Sequence, residues 1–310
     1  MSFAWLVLSV ASWFATTTLF STFFNSAFMV EFKDFTSAAL GLTLVRFVGS
    51  ALLGLSTNAV GLSLDKPLAA RGDFHRASRA FMLPSLLLAT ANFFNSIALG
   101  LTGITVTYVT KSCIPLVTVA VCVWRGERVA LNVLATLFPI VVGVALSSWS
   151  DSQFHPLGLA AAIISTVAQT LLNMQSKHAL AATGLTGAQA QTVMVTNASA
   201  LVCAAYAVFT VLKPADVHDD FPQLLQRART NERAMFIFMG APVAYHVEYV
   251  LNFVVTGKVS AVVFSVIDVM RRLATVVAGA IIFSKPLSPL NFAGCVMALG
   301  GVLAFTITNR

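Results

Sequence analysis

Apolar residues fall along the chain in long, nearly unbroken runs, with polar and charged residues gathered in short stretches between them. Ten such runs lie near residues 3–25, 36–56, 80–99, 103–124, 130–149, 157–177, 189–212, 234–256, 259–283 and 288–307. Each is long enough to cross a hydrocarbon core of ~30 Å at ~1.5 Å per helical residue. The pattern predicts an all-α membrane protein with ten transmembrane helices. An even number of passes puts both termini on one side of the lipid bilayer. That side collects nine Lys and Arg residues and the opposite side six, the latter mostly from a basic loop over 213–233. The excess predicts cytosolic termini.

Composition narrows the class further. The chain has 310 residues, 57% of them hydrophobic and only 10% charged, against about a quarter charged in a soluble domain. A soluble enzyme, a secreted disulfide scaffold and a disordered chain are excluded. The net charge of +7 does not point to nucleic acid, because no basic stripe interleaved with aromatics is present and most Lys and Arg sit at helix ends. Cys113, Cys122, Cys203 and Cys295 all fall inside apolar runs without metal-ligand spacing, as small buried hydrophobes do. Asn197-Ala-Ser199 matches a glycosylation sequon but lies in mid-membrane. The first run begins almost at Met1, and no cleavable signal or transit peptide is expected ahead of it.

Six ionisable residues are embedded in the runs: Arg46, Lys111, Arg271, Arg272, Glu248 and Asp268. Each costs at least ~2.5 kcal/mol to insert, and such residues usually face a cavity. Two arginines and a lysine in apolar surroundings call for an anion. A phosphate supplies it, since guanidinium forks bind its oxygens in pairs and lysine acts as a point charge. The rival reading of the trio is an internal salt-bridge cluster. Asp268 lies three and four residues before the arginines and can compensate either within one helix. Tyr245, Glu248 and Asn252 share a helical stripe, and Glu248 has no partner on its own helix. Glu248 or Asp268 could instead carry a proton. Arg46 either contacts solute or braces a carbonyl or an Asn. Thr16, Thr17, Thr18 and Ser21 either line the path or back-bond to their own helix, the commoner arrangement. Prolines 84, 115, 139 and 242 are expected to break helices locally.

The segment Thr105–Leu146 resembles Val263–Ala304: a span with embedded cations, a short polar turn, then a Gly-rich span carrying Gly143-Val-Ala-Leu or Gly301-Val-Leu-Ala. Five spans per half would invert the second copy. The prediction is a single domain over 1–310, built from two five-helix inverted repeats, roughly 1–150 and 151–310, with a site at the midplane between them.

The stretches Thr107-Tyr-Val-Thr-Lys-Ser-Cys-Ile-Pro115, Gly126-Glu-Arg128, Ser176-Lys177, Tyr245-His246, Met270-Arg-Arg272 and Lys285-Pro-Leu-Ser288 resemble the drug/metabolite transporter superfamily, in its triose-phosphate and nucleotide-sugar translocator branch. The resemblance implies alternating-access exchange of phosphorylated solutes, with Lys111, Arg271 and Arg272 clamping the phosphate. The family's pair is usually Lys-Arg, so Arg271 is a departure that keeps the charge. By register, the plastid members' contacting His and Thr fall at Asn92 and Asn95, an aromatic at Gln169, and a Tyr at Glu248. Asn92, Asn95 and Ser96 share one helix face and could bind solute or bond between helices.

The expected function is therefore an antiporter for a phosphorylated small molecule and its counter-substrate, with no enzymatic chemistry, no cofactor, no metal and no nucleic acid, and with a homodimer possible. A nucleotide sugar exchanging for its nucleoside monophosphate is preferred slightly over a sugar phosphate exchanging for phosphate, on the polarity of the expected pocket. A Golgi or ER membrane is preferred over a plastid one. The alternative is a proton-coupled transporter of a non-phosphorylated metabolite using Glu248 and Asp268.

Overall fold

The computed structural model describes residues 3–35, 37–59, 71–124, 126, 130–149, 155–212, 220–256, 261–282 and 288–308. The described residues are helical, with no strand among them. In chain order the helices are α1 (Phe3–Ala15), a π turn (Thr16–Ser21), α2 (Thr22–Glu31), α3 (Ala38–Ala59), α4 (Arg71–Ala80), α5 (Met82–Thr110), a 3-10 turn (Lys111–Cys113) and α6 (Ile114–Trp124). There follow α7 (Leu131–Ala135), α8 (Leu137–Trp149), α9 (Pro156–Thr183), α10 (Gly187–Leu212), α11 (Phe221–Thr230), α12 (Glu232–Thr256), α13 (Ala261–Ile282) and α14 (Pro289–Thr308). Glu127, Arg128, Lys258 and Lys285 lie outside the described residues.

Five helical segments among the described residues are long and apolar enough to cross a membrane. One of them, Met82–Trp124, has 43 residues and would measure about 65 Å if straight, roughly twice a hydrocarbon core. It is not straight. Gly103 has φ 71° and ψ −168°, a conformation open to glycine and strained for other residues. The single residue therefore ends the helix over 82–102 and starts the next. Leu131–Leu146 and Pro289–Phe305 are shorter apolar stretches.

The prolines act at different strengths. Pro115 has no N–H to give the Lys111 carbonyl four residues earlier. That carbonyl accepts from the N–H of Ile114 instead, which tightens residues 111–113 into a 3-10 turn. Pro139 stands four residues after Ala135, where α7 ends. Pro84 lies in the first turn of α5, where a missing N–H costs nothing, and α12 runs through Pro242. The back-bonding expected of the cluster Thr16, Thr17, Thr18 and Ser21 is not seen at three of its members. The buried Thr17 and Thr18 hydroxyls find no hydrogen-bond partner among the described residues, and Ser21 Oγ donates across to the Ala244 carbonyl of α12 at 3.2 Å.

Two ten-residue amphipathic helices were not legible as apolar runs. In α4, Ala77 is buried and Ser78 is tied to Asn197 of α10: Ser78 Oγ donates to Asn197 Oδ1 at 2.7 Å and Asn197 Nδ2 returns a bond to the Ser78 carbonyl at 2.9 Å. The sequon asparagine is thus a structural bracket. In α11, Leu224 and Ala228 are buried, and Arg227 meets Glu31 at 3.3 Å and Asp34 at 3.6 Å. Arg233 reaches Glu31 at 3.6 Å. Part of the basic loop over 213–233 is therefore engaged with the acidic end of α2.

Packing follows a paired scheme. Helix α5 lies along α9, while α12 lies along α1, the π turn and α2; α3 packs on α12, and α10 on α5; α3 meets α10, and α8 meets α14. Glycines set the closest approaches. A Cβ on Gly143 of α8 would meet the Ala298 backbone nitrogen and come within 2.6 Å of the Gly294 carbonyl oxygen, both on α14. Gly240 accommodates the Phe24 ring in the same way. Backbone cannot yield as a side chain can, so Gly143→Val is expected to destabilise the purified protein by ~1–3 kcal/mol. Gly300→Ala, where an added Cβ meets nothing within 4 Å, is expected to leave thermal stability in detergent unchanged or slightly raised. Equal melting temperatures for the two variants would contradict this packing.

Candidate functional site

A cavity of ≈ 130 Å³ opens among α1, α2, α3, α5, the 3-10 turn, α9, α12 and α13. Eight of the nine residues selected from the sequence line it: Lys111, Arg271, Arg272, Asn92, Asn95, Gln169, Tyr245 and Glu248. The side chain of the ninth, Asp268, lies outside the described residues. Asn252 joins Tyr245 and Glu248 in the lining, so the stripe expected on α12 does face the cavity.

Local structure explains how the cations arrive there. Lys111 sits on the 3-10 turn that Pro115 imposes, between α5 and α6. Its ammonium lies 5.5 Å from the centre of the Tyr108 ring, three residues earlier. Arg271 and Arg272 are adjacent on α13, and both line the cavity. The guanidinium of Arg271 lies 5.0 Å from the Trp13 ring and 3.6 Å from Glu248. That pair is largely enclosed, at 14% and 17% side-chain exposure. Glu248, without a partner on its own helix, thus finds one on α13. Arg46 of α3 is 2% exposed. Its Nη2 donates to Ser96 Oγ at 2.8 Å, its Nε to the Leu42 carbonyl at 3.3 Å, and its guanidinium carbon lies 5.4 Å from the Tyr245 ring.

Four cations therefore share one cavity, and Glu248 is the one carboxylate among its described lining residues. Three of the four stand over aromatic rings. A ring face attracts a cation through its quadrupole, worth ~0.5–2 kcal/mol, and holds it without neutralising it. Arg271 is in addition paired with Glu248 at 3.6 Å.

The amides divide by role. Asn92 Nδ2 donates to the Leu88 carbonyl of its own helix at 3.0 Å. Gln169 Nε2 donates to Asn173 Oδ1 one turn along α9 at 3.1 Å. Asn95 Oδ1 is buried and accepts no hydrogen bond from the described residues. Ser96, which shares their face, is turned to Arg46 and also donates to the Asn92 carbonyl at 3.0 Å. His246 is not in the lining: its Nδ1 lies 3.0 Å from Ser50 Oγ on α3. The cavity holds groups that bind and orient, without a nucleophile and base in bonding reach among the described residues.

Residues passed over by the sequence reading include Tyr108, Asn173 and Tyr249, while Arg46, weighed there as a solute contact or a brace, both lines the cavity and bonds the Leu42 carbonyl. Tyr108, Asn173 and Tyr249 stand one helical turn from Lys111, Gln169 and Tyr245, so i, i+3 and i+4 neighbours of the selected residues would have found them. Trp13 and Asn25 had no such signal; they arrive through the packing of α1 and α2 on α12 and α13.

Comparison with known proteins agrees with this geometry. A sequence profile described as the Triose-phosphate Transporter family matches residues 4–306. The phosphoenolpyruvate/phosphate translocator 1 of Arabidopsis thaliana chloroplasts is 27% identical over 304 residues, covering 97% of this chain and 72% of that one. A triose phosphate/phosphate translocator of non-green plastids from Brassica oleracea var. botrytis is 26% identical, over 98% of this chain and 74% of its own. The glucose-6-phosphate/phosphate translocator 2 of Arabidopsis thaliana is 24% identical, over 68% of this chain and 54% of its own. A solved crystal structure superimposes with TM-score 0.50 at 15% identity, over 97% of this chain and 98% of that one, a likeness of fold. The preference for a nucleotide sugar and for the Golgi or ER is not supported by these relatives, which are phosphate translocators of the chloroplast. With all but its extreme ends inside the family match, this chain belongs to the Triose-phosphate Transporter family.

Proposed function

We propose that the chain is an antiporter that exchanges a small phosphorylated organic solute for inorganic phosphate by alternating access to this cavity. One observation carries the proposal: Lys111, Arg271 and Arg272 converge on a cavity whose described lining offers only Glu248 as counter-charge. Three cations gathered around one enclosed, low-dielectric cavity attract an anion into it. A phosphate dianion satisfies them through bidentate guanidinium contacts and the lysine point charge. The relatives' names, phosphate translocators with phosphoenolpyruvate, triose phosphate or glucose 6-phosphate as partner solute, agree with this chemistry.

Size favours the smaller solutes. A cavity of ≈ 130 Å³ has the volume of about four liquid waters at ~30 Å³ each. That favours a compact phosphate ester over a nucleotide sugar, which is several times larger. A plastid-type envelope is the membrane these relatives suggest.

The fold supports a two-repeat mechanism. If the chain is divided near residue 150, the second half repeats the order of the first, so that α5 corresponds to α12 and α3 to α10. The contact of α5 with α9 then has its counterpart in α12 with α1 and α2. The contact of α3 with α12 has its counterpart in α10 with α5. The extra helices α4 and α11 also occupy equivalent places. Reorienting such halves with an empty, cation-rich site is costly, and that cost makes exchange obligatory. Glu248 offsets part of the charge by holding Arg271 at 3.6 Å, which supports a counter-ion role over that of a proton carrier.

Two outcomes follow in proteoliposomes. Arg272→Ala is expected to cut labelled phosphate exchange at least a hundredfold with membrane insertion intact; near-normal exchange would contradict the phosphate clamp. Glu248→Gln frees Arg271 from its competitor, so half-saturating phosphate is expected to fall several-fold, as loss of ~1 kcal/mol of competing attraction implies. Unchanged phosphate affinity together with a lost response to a pH gradient would instead support proton carriage.

A further inference from the structure

The fourth cation of the cavity has no place in the phosphate clamp. Arg46 belongs to a different wall, where α3 packs on α5 and α12, whereas Lys111 follows α5 and the arginine pair is on α13. Its partners are a serine hydroxyl, a backbone carbonyl and a tyrosine ring. All three fix the guanidinium, and none neutralises it. Among the described residues no carboxylate lies within 4.0 Å of it, since the ion pairs there involve Arg227, Arg233 and Arg271. Of its five N–H donors, two are engaged in the two hydrogen bonds described. A side chain 2% exposed that lines the cavity with its charge unmatched is prepared for an anionic group.

Arg46 meets α12 at Tyr245 and Arg271 meets it at Glu248. These two residues lie one helical turn apart on the stripe that lines the cavity, so Arg46 and the clamp address the same enclosed space from different walls. Arg46 also cannot swing away, because Ser96 and the Leu42 carbonyl hold it from two helices.

We infer that Arg46 is a specificity-determining residue that reads a carboxylate at the end of the solute away from the phosphate. The favoured solutes are then short phosphorylated carboxylic acids rather than neutral phosphate esters of sugars or trioses. The inference rests on the proposed exchange function and adds to it a second point of recognition.

The test uses proteoliposomes of the full chain preloaded with phosphate. Initial uptake of labelled phosphoenolpyruvate and 3-phosphoglycerate is compared with that of dihydroxyacetone phosphate and glucose 6-phosphate. The wild-type protein is expected to take up the acids at least tenfold faster than the neutral esters at equal subsaturating concentration. Arg46→Gln is expected to reduce that ratio at least tenfold, and Arg46→Lys, which keeps the charge but loses the fork, to leave an intermediate ratio. A wild-type ratio near one overturns the inference without recourse to any variant. A high ratio that survives in Arg46→Gln overturns it as well. So does a correctly inserted Arg46→Gln protein that exchanges nothing, since Arg46 would then serve every solute alike. Failure of the exchange reading looks different: the wild-type protein would not exchange phosphate for phosphate at all.

Discussion

Four cations gathered around one enclosed cavity are the constraint around which the described part of this molecule is organised. Arg46, Lys111, Arg271 and Arg272 face one cavity, with Glu248 as the described carboxylate among its lining residues. A sequence selected for stability alone would pair such charges or replace them with apolar residues of similar volume. Here Arg46, Lys111 and Arg271 are held over Tyr245, Tyr108 and Trp13, Arg46 is tied to two uncharged oxygens, and Arg271 is paired with Glu248. On the proposed exchange function, the solute completes the electrostatics of the cavity, and its absence should arrest the cycle.

The backbone delivers these groups by simple means. Pro115 deprives the Lys111 carbonyl of its helical donor, and the resulting 3-10 turn presents the lysine between two apolar helices. Gly103, with its positive φ, breaks α5 in a single residue between Asn92 and Asn95 on one side and Tyr108 on the other, all of which line the cavity. Close contacts of α8 with α14 at Gly143 keep one helix pair tight, away from the site. The amphipathic helices α4 and α11 clasp other parts of the bundle through Ser78–Asn197 and Arg227–Glu31.

Much of this was legible in the sequence. A run predicted over 36–56 is the helix Ala38–Ala59, and one predicted over 157–177 is part of Pro156–Thr183, because lipid leaves apolar length as the dominant signal. The stripe of Tyr245, Glu248 and Asn252 was readable because helical periodicity is local. What was not readable is set by pairing between distant helices. Arg46 with Ser96 and Arg271 with Glu248 are separated by 50 and 23 residues, and neither register nor composition announces them. The helices α4 and α11 were hidden because a ten-residue polar helix produces no apolar run. The polarity of Asn92 and Gln169 suggested a large hydroxylated solute, yet both amides donate within their own helices. Polar residue content therefore overstated the hydrogen bonds open to a solute.

The central claim is that an anion must occupy the cavity whenever the two halves reorient. It is tested most directly by uptake of labelled phosphate into proteoliposomes of the purified protein, with and without phosphate inside and with no pH gradient imposed. Uptake that requires internal phosphate, and falls to the level of protein-free vesicles when the lumen holds only an impermeant buffer, is the predicted result. Rapid net uptake into vesicles without an internal anion would contradict it, because the cation cluster would then be able to return empty.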